Sequence, residues 1–243
     1  MWIRTDNSTE RAGMDADQSE RLEFPAAGGA VSALWTPAAR PIAVAAVAHG
    51  AGAGMAHPFM TGGAAGLADG GVSVLRFNFL YMEARRRVPD RTPVLLDTWR
   101  AAIQELVRRG GGLPMVMGGK SMGGRMASML AAEEGAQFRG AALVFFGYPL
   151  HPAGATGRLR DAHLPEIRVP MLFIQGTRDA LAQADLVEDV VRRLEPLARL
   201  HVVPDGDHSF HVRGAKRPDR DIGYELGQFA ARYAGEIVRN GRV

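Results

Sequence analysis

Short apolar segments alternate with helical patterns along most of this chain, and this alternation constrains its fold more than any other feature. Eight segments have the length and apolar content of strands: RLEFPA, AVSALWTP, IAVAAVAHG, VSVLRFNF, LPMVMGG, GAALVFFGYPL, PMLFIQG and ARLHVVP. Several of the later ones are continuously apolar, which is typical of strands buried on both faces of a sheet. The first two lie on either side of Gly28 and Gly29, which predicts an opening hairpin.

Helical patterns fill intervals between the later strands. Thr92 and Pro93 predict a helix start, with Thr92 as the N-cap and Pro93 at the first helical position. Apolar residues recur at helical spacing in three segments: Leu95, Trp99, Ala102, Ile103 and Leu106; Leu186, Val190, Val191 and Leu194; and Leu226, Phe229, Tyr233 and Ile237. Together the segments predict an α/β fold, an eight-stranded and mostly parallel sheet with helices on both faces. Ligands bind such sheets at the carboxyl ends of the strands.

The domain organisation follows from where these patterns begin. Residues 1–20 are polar and aperiodic, which predicts a flexible tail, and residues 21–243 are predicted to form a single domain. No apolar run approaches the ~20 residues that span a bilayer. The first residues also lack the apolar core of a secretory signal, so we expect a cytoplasmic protein without a membrane partner.

Composition excludes several kinds of chemistry. The chain has no cysteine, which excludes disulfides, thiolate metal sites and a cysteine nucleophile. Its 29 Lys and Arg against 26 Asp and Glu give a formal net charge of +3, which does not by itself indicate a nucleic-acid partner. Histidines and carboxylates do not cluster at ligand spacing, so neither a metal nor another cofactor is expected.

The segment PMVMGGKSMGGRM, residues 114–126, is compatible with two unrelated functions, nucleotide binding by a P-loop and nucleophilic catalysis by a serine. A phosphate-binding P-loop requires a glycine five residues before Gly119, and that position is Pro114. The dinucleotide fingerprint fails as well, because GAGAGM has Met55 in place of its last glycine. Both nucleotide-binding motifs are therefore excluded.

The same segment fits a nucleophile elbow, G-x-S-x-G, with Ser121 on the corner between the strand LPMVMG and the helix GGRMASMLAAEE. Such a corner brings neighbouring chain segments close together, and Gly119 and Gly123 remove the side chains that would collide. The alternative is a glycine-rich turn without a catalytic role. Because the pentad is common, its interpretation depends on finding partners for the serine.

A serine hydroxyl becomes nucleophilic when a base takes its proton and an acid orients that base. In this architecture the serine comes first in the chain, then the acid, then the histidine. Asp179 follows the strand PMLFIQ, and His208 follows the strand ARLHVVP. The sequence therefore predicts a catalytic triad of Ser121, Asp179 and His208. The alternatives are a helix cap for Asp179 and a surface loop position for His208.

Attack by the serine develops negative charge on the carbonyl oxygen of the substrate, and two N–H donors are needed to stabilise it. One predicted donor is the backbone amide of Met122, the residue after the nucleophile. The second is predicted in the loop HGAGAGM, with Ala51 as first choice and Gly52 as the alternative. His49 is assigned a structural hydrogen-bonding role behind this loop.

The strand ends also predict the residues that bind the substrate: Phe59, Tyr81, Met82, Tyr148 and Leu150. Phe79 is assigned to the core instead. The segment between the sixth and seventh strands is too short for a cap domain, so we expect an open site. Arg85–Arg87 are interpreted either as a solvated loop or, with Lys120 and Arg178, as a cationic rim that attracts anionic esters.

Six motifs resemble those of a known family: AHGAGAGMAHPFM, LRFNFLYME, GGKSMGGRM, FFGYPLHP, LFIQGTRD and DGDHSF. They resemble the α/β-hydrolase fold, and more narrowly the small dienelactone-hydrolase-like proteins, which have testis-expressed and chromatin-complex-subunit relatives. The resemblance begins at about Arg21 and implies the same three roles for Ser121, Asp179 and His208. Dienelactone hydrolases use a cysteine nucleophile, which this chain lacks, so their substrate is not implied.

These observations predict a cofactor-free serine hydrolase that cleaves a small-molecule carboxylic ester or thioester through an acyl-enzyme. Two alternatives stay open. One is a non-catalytic interaction module that keeps the fold, and the other is a serine peptidase or amidase with the same triad.

Overall fold

The computed structural model describes residues 19–26 and 28–241. All eight predicted strands are present: β1 Glu20–Ala26, β2 Gly29–Thr36, β3 Ala43–Ala48, β4 Val72–Phe77, β5 Met115–Lys120, β6 Ala142–Phe146, β7 Met171–Gly176 and β8 Ala198–Val203. The predicted tail lies outside the described residues except for its last two, and Glu20 already belongs to β1.

The strands form one sheet in the order β1-β2-β4-β3-β5-β6-β7-β8. The strand β2 pairs antiparallel with both β1 and β4, and every pairing from β4–β3 to β7–β8 is parallel. Every residue of β3, β4, β6 and β7 is buried, as expected for parallel strands covered on both faces. The predicted fold class is confirmed.

Six helices accompany the sheet in the described part of the chain: α1 Pro58–Asp69, α2 Leu80–Glu83, α3 Thr92–Gly110, α4 Met122–Glu134, α5 Ala184–Arg193 and α6 Asp219–Arg239. In α3, Thr92 is the first helical residue rather than the cap. Arg91 occupies the N-cap position, and its side chain makes no capping hydrogen bond. The predicted start of this helix is therefore wrong by one residue.

The sheet separates two apolar cores. On one face α1 and α6 contribute residues such as Leu67 and Leu226, which pack with Val74 of the sheet. On the other face α3 and α4 contribute Trp99 and Leu130. Burial of these apolar side chains is the main force that holds the helices on the sheet.

The connections decide how open the carboxyl edge of the sheet is. Residues 147–170, between β6 and β7, contain one short 3₁₀ helix, Leu164–Glu166, and no cap domain. This confirms the open architecture expected from the length of the segment. In the described part of the chain, no helix combines the length and the apolar character needed to cross a membrane.

Candidate active site

Ser121 lies on the corner between β5 and α4, in a strained backbone conformation with φ 50° and ψ −116°. The end of β3 presses against this corner. A β-carbon on Gly119 would lie 2.2 Å from the carbonyl oxygen of Ala48, and one on Gly123 would lie 2.4 Å from the same oxygen. No side chain fits at either position, which explains both glycines of the motif.

The structure brings Ser121, His208 and Asp179 together from three separate loops. The Nε2 atom of His208 lies 2.9 Å from the Oγ of Ser121, and its Nδ1 lies 2.7 Å from Oδ2 of Asp179. With the carboxylate accepting from Nδ1–H, Nε2 is left to accept the serine proton. Asp179 is 4% exposed and the His208 side chain 27% exposed, so the acid is shielded while the base faces the cleft.

Asp179 is held in place by two further donors. Gln175 Nε2 donates to Oδ2 at 2.5 Å, and the backbone N–H of Leu181 donates to Oδ1 at 2.8 Å. The N-cap of α5 is Gln183, so the alternative role of Asp179 as a cap of this helix is wrong. The sequence analysis did not predict this role of Gln175. A polar amide at the penultimate position of the otherwise apolar strand β7 could have indicated that it has a polar partner near the end of the strand.

The two acidic neighbours of His208 serve the loop rather than the imidazole. Oδ1 of Asp207 accepts hydrogen bonds from the backbone N–H groups of Ser209 and His211, at 2.8 and 3.0 Å. Asp205 is exposed, and its backbone N–H donates to the hydroxyl of Thr177. Asp179 is therefore the carboxylate that contacts Nδ1 of His208 in the described residues.

The loop after β3 faces Ser121. A β-carbon on Gly50 would lie 3.5 Å from Cβ of Ser121. No hydrogen bond within the described residues uses the backbone N–H of Ala51, Gly52 or Met122. These N–H groups are free to donate to an oxyanion, and the choice between Ala51 and Gly52 stays a prediction.

His49 and Tyr81 support this loop from behind. His49 is fully buried, accepts a hydrogen bond from the N–H of Phe79 at Nε2 and donates from Nδ1 to the carbonyl of Gly50 at 2.7 Å. Burial lowers the pKa of His49 to about 4, against the opposing effects of the Gly50 hydrogen bond and the charge of Glu83. The Tyr81 hydroxyl donates to the carbonyl of Ala51 at 3.0 Å.

A cleft of about 390 Å³ opens over the serine. Its walls are mostly apolar or glycine, and they are formed by Gly50, Ala51, Gly52, Ala53, His57, Phe59, Met60, Lys120, Ser121, Leu181, His208, Ser209 and Asp219. Phe59 thus lies where it was predicted, and its contact with a substrate stays a prediction.

The other four residues predicted to bind substrate do not line this cleft. Tyr81, Tyr148 and Leu150 are buried in the core on the side of α3 and α4, and Met82 packs against that core. These side chains fill the core or support neighbouring loops, so they are not available to form the wall of the cleft. The Tyr148 hydroxyl, for example, donates to the carbonyl of Arg160 at 2.8 Å. Phe79 is fully buried, as expected.

The cleft is not rimmed by the arginine run. Arg85–Arg87 are exposed and do not line it, and Arg86 forms an ion pair with Asp90. This favours the solvated-loop interpretation over the cationic rim. Of the two other basic residues, Arg178 is exposed and Lys120 reaches into the site.

The carboxylate of Asp219 also lines the cleft, and sequence reasoning missed it. Its Oδ1 lies 2.6 Å from Nε2 of His211, and its Oδ2 lies 3.6 Å from Nε2 of His57. Asp219 begins α6, where a negative charge is favourable near the helix N-terminus.

A mostly parallel eight-stranded sheet, with a serine on the corner after β5 and an aspartate and a histidine in later loops, defines the class of α/β hydrolases. Within this class, the chain belongs to the family described as the alpha/beta hydrolase domain, whose model matches residues 41–235.

Solved structures of the same fold include a lidless α/β serine hydrolase of Xanthomonas campestris (22% identity, TM-score 0.70), over 90% of this chain and 96% of that one. A dienelactone hydrolase of Anabaena variabilis matches at 22% identity and TM-score 0.71, over 90% and 97%. The esterase domain of a Rhodothermus marinus protein matches at 19% identity and TM-score 0.66, over 88% and 98%. The resemblance to testis-expressed and chromatin-complex proteins rests on the sequence motifs alone.

Proposed function

We propose that this protein is a serine hydrolase that cleaves a carboxylic ester or thioester through an acyl-enzyme formed on Ser121. One observation carries the proposal: a continuous chain of hydrogen bonds runs from Asp179 through His208 to Ser121 at the edge of an open cleft. A buried acid, a partly exposed base and a strained serine are the parts that nucleophilic acyl transfer requires.

The proposed reaction uses these groups in order. Nε2 of His208 takes the proton of Ser121 as Oγ attacks the carbonyl carbon, and Asp179 stabilises the imidazolium that forms. The free amides of Met122 and of Ala51 or Gly52 stabilise the oxyanion. The imidazolium then protonates the leaving alcohol or thiol, and water attacks the acyl-enzyme by the reverse sequence.

The shape of the cleft supports a small acyl group. A volume of about 390 Å³ lies near the lower end of the range of ligand pockets, ~300–1,000 Å³. No lid covers the cleft in the part of the chain that the structure describes, so a larger leaving group extends into water. Because Arg85–Arg87 face solvent, we propose a neutral ester rather than an anionic one as the preferred substrate. An esterase domain and a dienelactone hydrolase among the structural neighbours favour ester chemistry over amide chemistry.

The test is turnover of matched substrates by purified protein. A p-nitrophenyl ester, a thioester and a p-nitroanilide of the same short acyl group are compared, with wild type and Ser121→Ala. We expect ester and thioester hydrolysis that falls by ~10³-fold or more in the variant.

Ser128→Ala is a matched control. Ser128 also has an imidazole nitrogen at 2.8 Å, from His163, but it is buried in α4 and does not line the cleft. This variant should keep its activity within about threefold. Preferred cleavage of the anilide would indicate an amidase, and no turnover of any substrate would indicate a non-catalytic module.

A further inference from the structure

We infer that Lys120 is a positioning residue that fixes the loop of the catalytic base relative to the strand of the nucleophile. The inference rests on the proposed function, since it assigns Lys120 a part in keeping His208 against Ser121.

The lysine is placed between the two groups that must meet. It is the last residue of β5 and directly precedes Ser121, and its Nζ donates to the backbone carbonyl of His208 at 2.6 Å. The ammonium also lies 5.4 Å from the ring centroid of Phe210, a distance suited to a cation–π contact. A β-carbon at position 147 would lie 3.0 Å from Nζ, so Gly147 leaves the space that the ammonium occupies.

The other anchors of this loop do not reach β5. The loop is closed on itself by the Asp207 side chain and by a bridge between Gly206 and Val212. The turn after β7 holds it through the N–H of Arg178, which donates to the carbonyl of Gly206 at 2.8 Å. Among the described residues, the hydrogen bond from Lys120 to the backbone carbonyl of His208 therefore connects β5 to the backbone of the His208 loop.

This link acts on the geometry of proton transfer rather than on substrate affinity. The hydrogen bond to the carbonyl of His208 fixes the backbone from which the imidazole extends. Proton transfer requires that Nε2 of this imidazole stay about 3 Å from Oγ of Ser121. A displacement of about 1 Å at a reacting group costs about 100-fold in rate. Loss of the lysine should therefore lower kcat while KM changes little.

The environment of the Lys120 ammonium also predicts how activity depends on pH. Burial lowers the pKa of Lys120 to about 8, and the charges of Asp179 and Asp207 oppose this shift. The charged and polar groups that act on Nζ are these two carboxylates and the His208 carbonyl, and Gly147, which follows β6, lies beside it without a side chain. Above about pH 8 the amine loses its proton and the hydrogen bond loses its charge. Activity should then fall on the alkaline side.

The experiment compares Lys120→Met and Lys120→Arg with wild type, using a neutral ester between pH 6 and 10. Arg178→Met is the matched control, because it removes an exposed cation beside Asp179. We expect Lys120→Met to lose about 10- to 100-fold in kcat with KM within about threefold. We also expect Lys120→Arg to lack the alkaline decline, because a guanidinium keeps its proton throughout this range. The control should behave like wild type.

A kcat of Lys120→Met within twofold of wild type, or an unchanged alkaline decline in Lys120→Arg, would overturn the inference. A second measurement does not depend on turnover, and it therefore separates this inference from the proposed function. The proton NMR signal of the His208 Nδ1–H, hydrogen bonded to Asp179, should be sharp in wild type, Arg178→Met and Lys120→Arg and broadened in Lys120→Met. An identical signal in all four proteins would contradict a positioning role even if no ester is cleaved.

Discussion

At the residue scale, the proposed chemistry depends on a few side chains that the fold holds with little freedom. Ser121 has φ 50°, a conformation that costs a residue with a side chain about 1–3 kcal/mol. The surrounding packing maintains it: the N–H of Ser121 donates to the carbonyl of Phe146 at 3.0 Å, and β3 closes the corner from the other side. The strain presents the hydroxyl to the imidazole at the edge of the sheet.

Replacing Asp179 tests whether its carboxylate is the group that orients the imidazole of His208. In Asp179→Asn an amide faces Nδ1 of His208, so the imidazole loses the partner that sets its tautomer and stabilises its charged form. We expect kcat to fall by ~10³–10⁴-fold. Asp205→Asn is the control, because Asp205 is exposed with φ 55° and asparagine tolerates that conformation. Steady-state kinetics that show the larger loss in Asp205→Asn would mean that the acid is misassigned.

The sequence places Ser121, Asp179 and His208 at one edge of the sheet for a physical reason, while their catalytic roles stay a prediction. Ser121 directly follows β5, and Asp179 and His208 lie in the loops after β7 and β8. The carboxyl ends of parallel strands meet at one edge, and the sequence shows these strands as apolar runs. It predicts Tyr81 and Tyr148 poorly, because a residue after a strand turns inward or outward according to the loop, and loop conformation is not encoded in periodicity. The hydrogen bond of Lys120 joins residues 88 positions apart and has no local signature.

At the element scale, the least expected feature is the contact between α1 and α6. The sequence does not predict α1, because Gly62, Gly63 and Gly66 lower its helix propensity. In the structure two of these glycines let the helices touch backbone to backbone. A β-carbon on Gly62 would lie 1.9 Å from the carbonyl oxygen of Arg220, and one on Gly66 would lie 2.1 Å from that of Tyr224. Tertiary packing here outweighs the local preference.

Two alanine variants of α1 separate packing from propensity. Gly66→Ala should lower the free energy of unfolding by about 1–3 kcal/mol, because the helices must move apart. Gly63→Ala has the same change in propensity, but its β-carbon would lie 3.7 Å from the nearest atom, the carbonyl oxygen of Gly223. This variant should be neutral or more stable by up to about 1 kcal/mol. Urea unfolding checks both values, and equal destabilisation of the two variants would contradict the packing account.

At the scale of the whole molecule, buried histidines link stability to pH. The folded state lowers the pKa of His49 to about 4, and burial together with the Arg125 charge lowers that of His163 to about 4. Between pH 6.5 and 4 the unfolded chain therefore binds protons that the folded chain does not. The free energy of unfolding should fall as the pH falls through this range, by up to about 1.4 kcal/mol per pH unit for each histidine.

The His49→Gln variant isolates one of these contributions. A glutamine can accept from Phe79 and donate to Gly50, yet it does not titrate. Urea unfolding at pH 7.0, 5.5 and 4.5 should show a shallower loss of stability in the variant than in wild type. Parallel curves for the two proteins would show that His49 does not couple folding to pH.

The central claim, that Ser121 is the nucleophile, is tested most directly by locating a covalent adduct. Trypsin cleaves after Lys120 and Arg125, and the peptide it releases, SMGGR, carries one hydroxyl group, that of Ser121. After reaction with a fluorophosphonate probe, mass spectrometry should find the phosphonyl group on this peptide, and Ser121→Ala should give no adduct. An unlabelled SMGGR peptide, or labelling of another residue that persists in Ser121→Ala, would contradict the account.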